Sequence, residues 1–246
     1  MIPRRLSSLQ HPLIKQLVKL RESRTFRLEK SQVLITGRKL IQDVAAHLPL
    51  KILISTEPLA LSAEETFLGT PEVLKKIINL PTHDLVAAVV PLPPPATFHQ
   101  IHRIVVLEGL SDPGNVGTIL RTALALGWDG AFLTPSTADP FNDKALRAAR
   151  GAPLFLPIRQ GTLQELQEFI RSNALSVYIA DVHGKTLSET VFKTPLALVL
   201  GHETEGPSPE AKALGKAVTI PMRKEMESLN VASAAAILIY QIRGSP

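Results

Sequence analysis

Hydrophobic residues follow two different spacings along the chain, and each change of spacing marks the start of a predicted strand or helix. Short aliphatic runs such as VLITG (33–37) and RIVVLEG (103–109) indicate buried strands, whereas apolar positions three and four residues apart, as in QHPLIKQLVKLRE (10–22), indicate helices. The pattern predicts strands at 33–37, 51–55, 85–90, 103–109, 130–134, 154–158, 176–181, 196–201 and 217–221, and helices at 10–22, 38–48, 71–80, 115–127, 143–150, 162–172 and 228–243. Such alternation predicts an α/β protein.

A proline run, PLPPP (91–95), interrupts this pattern. Because proline fixes φ and lacks an N–H, the run should form an extended spacer. We therefore predict a small α/β domain at 1–92, a Pro-rich linker at 93–100 and a second domain at 101–246; the alternative is a long surface loop within one domain. In the second domain, a mostly parallel sheet with helices on both faces is expected, with ligands at the carboxyl ends of its strands.

Composition and charge narrow the choice of protein class. The 246 residues include no cysteine, which excludes disulfides and cysteine-based zinc or redox sites and fits a cytoplasmic protein. No apolar run is long enough to span a bilayer, so no membrane partner is predicted. The net charge is +5, yet residues 1–30 alone carry eight Lys and Arg against two Glu, a net +6. A basic region of this kind suits a phosphate backbone, and its alternative is a solvated helix face.

The stretch LSDPGNVGTILRTALALGW (110–128) combines a turn with an apolar helix. Asn115 follows Pro-Gly and is the expected N-cap. Arg121 falls among small residues, where a ligand can approach, and helical side chains lean toward the N-terminus, so it should reach toward the Asn115 turn. The alternatives are a simple cap for Asn115 and a solvent-facing salt bridge for Arg121. The expected core-facing positions are Val116, Ile119, Leu120, Ala123 and Leu124.

Two further stretches place polar residues beside glycines or an apolar helix. In LVLGHETEGPSPE (198–210), a strand ends at Gly201 and a polar turn with Glu203 and Gly206 follows. Its glycines permit close approach to a ligand, but the lysine of a P-loop and the dinucleotide-binding G-x-G-x-x-G are both missing. In IPMRKEMESLNVASAAAILIY (220–240), Ser228 and Asn230 precede a helix that should be buried or lie at a subunit interface, and either could be only a cap.

In this order, the three stretches resemble the three motifs of the SpoU (TrmH-type) RNA 2′-O-ribose methyltransferases of the SPOUT superfamily. The matching segments are NVGTILRTA (115–123), LVLGHETEG (198–206) and IPMRKEMESLNVASAAAIL (220–238). The segments SLQHPLIKQLVKLRE and VLITGRKLIQDV are similar to the L30e-like substrate-binding domain of many members. The chain departs from the common pattern at His202, at Thr204 and at Ile-Thr-Gly (35–37), which stands where Val-Glu-Gly is common.

The resemblance implies a fold, a cofactor and an assembly. It implies a parallel α/β sheet whose C-terminal part threads a deep trefoil knot, a homodimer, and S-adenosylmethionine bound in the knot largely by backbone groups, with no metal. The implied donor-binding residues are Gly201, Ile220 and Leu229, with Met222 and Gly206 nearby. The implied catalytic group is Arg121, which activates the hydroxyl, with Asn115 positioning it or the ribose and Glu203, Ser228 and Asn230 shaping the edge of the site.

The implied reaction is methyl transfer to a ribose 2′-hydroxyl of RNA. The two-domain build favours 23S ribosomal RNA over tRNA, and the basic N-terminal segment would hold the RNA. One alternative is an RNA-binding or ribosome-assembly factor with the same knotted fold and no catalysis. Another is an unrelated α/β nucleotide-binding enzyme, against which the absent glycine and lysine fingerprints argue.

Overall fold

The computed structural model describes residues 3–98 and 100–243, and it divides the chain into two compact units. Unit 1 comprises Met1–Pro94 together with Phe141–Leu154, and unit 2 comprises Pro95–Pro140 and Phe155–Pro246. The predicted ranges 1–92, 93–100 and 101–246 also take in residues 1, 2, 99 and 244–246, which lie outside the described part.

Unit 1 contains a mixed five-stranded sheet in the order β1-β4-β3-β5-β2. Strand β5 is antiparallel to β2 and β3, whereas β4 is parallel to β1 and β3. Its elements before the linker are β1 (Arg4–Leu6), α1 (Pro12–Glu22), α2 (Arg24–Lys30), β2 (Gln32–Thr36), α3 (Arg38–Ala45), β3 (Leu50–Ser55), β4 (Ala63–Gly69), α4 (Pro71–Ile78) and β5 (Val86–Pro91).

Three elements of unit 1 went unpredicted because their local patterns are weak. Strand β1 has only three residues, and β4 begins with the charged AEE of AEETFLG, so neither shows an apolar alternation. Helix α2 has seven residues, too few for a helical period to appear, although Ser23 caps it. Pairing with β3 and β1 holds β4 in the sheet, which local sequence does not report.

Unit 2 is built on a six-stranded sheet in the order β11-β9-β10-β6-β7-β8, and every pairing in it is parallel. This confirms the predicted α/β class with a parallel sheet; the knot stays a prediction. No helix in the described ranges is long and apolar enough to cross a membrane. The later elements are β6 (Arg103–Leu107), α5 (Pro113–Ala125), β7 (Gly130–Leu133), α6 (Asp143–Ala148), β8 (Ile158–Gln160), α7 (Leu163–Ser172), β9 (Ser176–Thr186), β10 (Leu196–Leu200), α8 (Pro209–Lys212), β11 (Lys216–Thr219) and α9 (Val231–Arg243).

The predicted strand at 154–158 is wrong. Ala152–Leu154 forms a short 3-10 turn, and β8 begins only at Ile158. Leu154 and Leu156 are apolar because the turn is buried, and Pro157 contributes only its carbonyl, which accepts the Ala131 N–H at 2.9 Å. A short apolar run does not distinguish a strand from a buried turn.

Helix α6 belongs to unit 1, although its sequence lies within the predicted second domain 101–246. The Thr36 hydroxyl donates a hydrogen bond to Asp143 at 3.3 Å. Leu146 and Leu154 are buried in the same hydrophobic cluster as Ile41 and Val44 of α3. Unit 1 is therefore completed by a segment that the chain supplies after it has begun unit 2.

Deleting residues 1–94 should leave a fragment that exposes the apolar side chains of Phe141–Leu154. Because Leu146 and Leu154 lose their cover, each should forfeit roughly 1.5–3 kcal/mol of burial free energy. We expect the 95–246 fragment to bind a hydrophobic dye and to aggregate on heating. The same fragment carrying Leu146→Asn and Leu154→Asn is the control and should bind less dye. Equal dye binding by the two fragments would contradict this assignment.

Candidate active site

Helix α5 is capped by a residue other than Asn115, so the Asn115 side chain can bond elsewhere. The helix begins at Pro113, and the Asp112 carboxylate caps it by accepting the Asn115 N–H at 2.9 Å. The predicted N-cap at Asn115 is therefore wrong. Proline suits the first helical position, so the residue before it becomes the cap, and Asn115 becomes the third residue of the helix.

Asn115 joins the three motif stretches through its side-chain amide. Its Nδ2 donates to Glu203 Oε1 at 3.2 Å, and its Oδ1 accepts from Asn230 Nδ2 at 3.2 Å. Asn230 caps α9, because its Oδ1 accepts the N–H groups of Ala232 at 2.9 Å and Ser233 at 3.2 Å. A carboxylate only accepts, so the Asn115 amide has one consistent orientation in this chain of bonds. We call Glu203, Asn115 and Asn230 the polar relay.

Glu203 is held by the turn that precedes α5. Its carboxylate accepts the Ser111 N–H at 3.2 Å, the Ser111 hydroxyl at 3.3 Å and the Asp112 N–H at 3.1 Å. Burial of this carboxylate raises its pKa, but hydrogen bonds from the N–H groups of Asp112, Glu203 itself and Ser111 and from the Asn115 amide lower it more. The pKa of Glu203 consequently lies below its ordinary value. The group is ionised at neutral pH and fixes the second motif against the first.

The Glu203 carboxylate should contribute a pH-dependent share of stability. A depressed folded-state pKa means that this share is fully present above the ordinary value of 4.5 and is lost as the pH falls through the folded pKa. At pH 7, Glu203→Gln should lower the free energy of unfolding by about 2 kcal/mol, since a charged acceptor is lost. Urea unfolding at pH 7 and pH 3 should show this difference shrinking in acid. A difference that is constant with pH would contradict the assignment.

A cleft of about 620 Å³, partly open to solvent, lies beside the relay. The five predicted donor-binding residues Gly201, Gly206, Ile220, Met222 and Leu229 all line it, as do Glu203 and Ser228. Other lining residues were not predicted: Ala180, Asp181, Val182, Leu200, His202, Pro207, Val218, Thr219, Val231, Ala234 and Leu238.

One wall of the cleft is an excursion of β9 that the sequence pattern did not reveal. Strand β11 pairs with β9 up to Ile179 and again from Lys185, so residues 180–184 leave the ladder. Gly184 permits the return, since a Cβ there would lie 2.4 Å from the Val218 nitrogen. Asp181 is anchored by Lys212 Nζ at 2.8 Å. A glycine inside a strand pattern, here in VHGKT, was the available signal.

The cleft suits a ligand with an apolar body and positive charge. The described lining residues include the carboxylates Asp181 and Glu203 but no Lys or Arg. Gly201 lets the wall close tightly, since a Cβ there would lie 2.2 Å from the Pro207 nitrogen. S-adenosylmethionine carries a sulfonium and an ammonium group against one carboxylate, so its net charge is positive and the lining fits this donor.

The remaining predicted site residues lie around this centre. Arg121 is exposed on α5 and, within residues 3–98 and 100–243, has no hydrogen-bond or ion-pair partner. Ser228 is exposed at the mouth of the cleft. His202 accepts the Thr204 N–H on Nδ1 at 3.3 Å, so the two residues of the second motif that depart from the family pattern stabilise the same turn. The structure thus joins Asn115, Glu203 and Asn230 directly, whereas Arg121 remains outside the relay.

Comparison with known proteins identifies the family. The sequence profile of the SpoU rRNA Methylase family matches residues 102–240. The chain belongs to this family. It is 33% identical to an uncharacterized tRNA/rRNA methyltransferase of Synechocystis, over 97% of this chain and 93% of that protein. It is 29% identical to the 23S rRNA (guanosine(2553)-2′-O)-methyltransferase RlmP of Bacillus subtilis, over 98% and 100% of the two chains.

A solved rRNA methyltransferase structure agrees over nearly the whole length. The AdoMet-bound rRNA methyltransferase from Sinorhizobium meliloti has a TM-score of 0.84 and 25% identity, covering 98% of this chain and 97% of that one. Family membership and the agreement with an AdoMet-bound relative make this SpoU protein an S-adenosylmethionine-dependent RNA methyltransferase.

Proposed function

We propose that this SpoU protein methylates a ribose 2′-hydroxyl of ribosomal RNA, with 23S rRNA favoured over tRNA. The observation that carries the proposal is the polar relay, which connects the three motif stretches beside the donor cleft. The RlmP relative acts on 23S rRNA, as does the adenosine(1067) 2′-O-methyltransferase of Streptomyces azureus, which is 35% identical over 61% of this chain. Ribosomal RNA as substrate makes the cytoplasm the proposed location.

The chemistry requires a poor nucleophile to attack a methyl group. When bound, S-adenosylmethionine supplies an electrophilic methyl group on its sulfonium. A guanidinium group is a poor base, so we assign Arg121 stabilisation of the developing alkoxide and orientation of the phosphate–ribose unit, and no role as a base. Its lack of a partner among the described residues leaves the guanidinium available for RNA. Holding the methyl carbon in line with the ribose oxygen would supply much of the rate, and the hydroxyl proton would pass to solvent as the carbon–sulfur bond breaks.

The other predicted residues position the reactants. The relay through Glu203, Asn115 and Asn230 fixes α5, and therefore Arg121, relative to the start of α9. Ser228 would border the ribose at the mouth of the cleft. The donor would be held by the five lining residues Gly201, Gly206, Ile220, Met222 and Leu229.

Unit 1 is the proposed L30e-like RNA-binding domain, but its positive charges are not equivalent. Arg27 is buried and donates to the Leu20 and Arg21 carbonyls at 2.6 and 2.9 Å. Arg21 donates to the Lys76 and Ile77 carbonyls at the end of α4. These two arginines hold helices together, so exposed cations such as Arg5 and Lys15 are better suited to phosphate contacts.

A homodimer is the proposed assembly. Ile237 and Tyr240 on α9 are 41% and 60% exposed, one helical turn apart, in a helix that is otherwise largely apolar. Large apolar side chains that share an exposed face favour an interface. Sedimentation of the purified protein tests this assembly.

Transfer of labelled methyl groups tests the reaction. Purified protein would be incubated with labelled S-adenosylmethionine and either rRNA or tRNA from a strain that lacks the gene. We expect label in rRNA at a single linkage that resists alkaline hydrolysis, because a 2′-O-methyl group blocks cleavage there. Label in tRNA alone would overturn the rRNA assignment. If the label instead left the RNA with the released nucleobase, the methyl group would be on the base, and this would overturn 2′-O-methylation.

A further inference from the structure

A second carboxylate, Glu108, binds the far end of the loop that carries Glu203. Glu108 directly follows β6, and its Oε2 accepts the Ser208 N–H at 3.1 Å while its Oε1 accepts the Ser208 hydroxyl. The Ser208 hydroxyl oxygen in turn accepts the Ala211 N–H at 3.1 Å and caps α8. Neither Glu108 nor Ser208 lines the donor cleft.

The two carboxylates connect neighbouring loops, because each belongs to one loop and accepts hydrogen bonds from the other. Strands β6 and β10 are adjacent and parallel, with Leu107 opposite Leu200, and the Glu108 N–H donates to the Leu200 carbonyl at 2.9 Å. The loop after β10 sends Glu203 to the turn before α5. The loop after β6 sends Glu108 to Ser208, so each loop restrains the other.

The segment between these two anchors is a wall of the donor cleft. Residues 201–208 fold back on themselves, since the Gly206 N–H donates to the His202 carbonyl at 3.0 Å and Gly201 lies against Pro207. Gly201, Gly206 and Pro207 all line the cleft. Because the segment is short and closed, a shift of Ser208 would move Pro207 and Gly206 with it.

We propose that Glu108 is a positioning residue that sets the shape of the donor cleft through Ser208. Glu203 fixes the first half of the 201–208 loop, and Glu108 fixes the second half through Ser208. The first anchor also belongs to the polar relay, whereas the second has no bond to Asn115 or Asn230 in the described part of the chain. Loss of Glu108 should therefore weaken donor binding more than it slows the chemical step. This rests on the proposal that the cleft holds S-adenosylmethionine.

The test is Glu108→Gln in the full-length protein, with Glu210→Gln as matched control. Glutamine keeps the shape of the side chain but removes the charge and turns one of the two acceptors into a donor. Glu210 is an exposed acid of α8, outside the cleft. Calorimetric titration with S-adenosylmethionine should give a Kd about tenfold higher for Glu108→Gln. Its kcat at saturating donor and RNA should stay within about threefold of wild type, and Glu210→Gln should change neither value.

A double-mutant cycle separates positioning from general damage. Ser208→Ala removes the other side of the contact, so it should also raise the Kd, and the double variant should be no worse than the more affected single variant. The proposal would be overturned if the fold-changes in Kd of the two single variants multiplied in the double variant. It would also be overturned if Glu108→Gln left the Kd unchanged or lowered donor affinity and kcat equally. If Glu108→Gln does not fold, Ser208→Ala alone decides, by its Kd relative to its kcat. Failure of the wild type to bind the donor would instead refute the cleft assignment.

Discussion

Arg121→Ala should lower the rate of methyl transfer by about two to three orders of magnitude while donor affinity stays unchanged. The guanidinium is exposed and outside the cleft lining, so its removal disturbs neither the cleft nor the hydrophobic core. In the proposed role of Arg121, what is lost is the positive charge that stabilises the hydroxyl oxygen as it becomes an alkoxide. Single-turnover transfer to rRNA measures the rate, and calorimetry measures donor binding.

Arg171→Ala is the matched control for the loss of an exposed arginine in unit 2. Its side chain bonds to the Gln167 carbonyl of its own helix α7, so transfer should stay at the wild-type rate. Filter binding of RNA is measured for both variants, because Arg121 is also assigned to the phosphate–ribose unit. If Arg121→Ala transferred methyl groups at the wild-type rate, the assigned role would be wrong.

Gly201→Ala should weaken S-adenosylmethionine binding by about a hundredfold or more. A Cβ at this position would lie 2.2 Å from the nitrogen and 2.4 Å from the Cα of Pro207. Both are backbone atoms, so the contact is relieved only if the 201–208 loop opens, and that loop is a wall of the cleft. Donor titration of the folded variant measures the loss.

Gly130→Ala distinguishes a cleft effect from general crowding. Its Cβ would also meet backbone, the Pro157 carbonyl oxygen at 2.6 Å, but at the start of β7 and away from the cleft lining. We expect it to lower the melting temperature while the folded fraction binds the donor normally. If both glycine variants lost donor affinity equally, the assignment of Gly201 to the wall of the cleft would be contradicted.

The sequence was informative wherever function depends on backbone and spacing within one segment. Gly201, Ile220 and Leu229 were assigned to one site through the resemblance of their segments to the family motifs, and in the structure all three line one cleft. The role of Asn115 was misjudged locally, since the Pro113 ring moves the helix start two residues earlier than the apolar pattern suggests.

Features that depend on pairing between distant segments were not accessible in the same way. The excursion at 180–184 follows from two separate registers between β9 and β11. The Glu108–Ser208 contact spans 100 residues and appears only once β6 and β10 are neighbours. A single sequence indicates such contacts only through the types of residue involved. Because Glu and Ser are common on any protein surface, their presence did not indicate this contact.

The return of Phe141–Leu154 to unit 1 limits how this unit can be exchanged between relatives. A chimera joined only at the proline run would place a foreign first unit against the resident α6, whose Leu146 fits the native surface of α3. A workable graft must carry both pieces together. By the same reasoning, substitutions in 33–44 and in 141–154 should be inherited as matched sets, so that divergence of unit 1 draws on two separated regions of the gene.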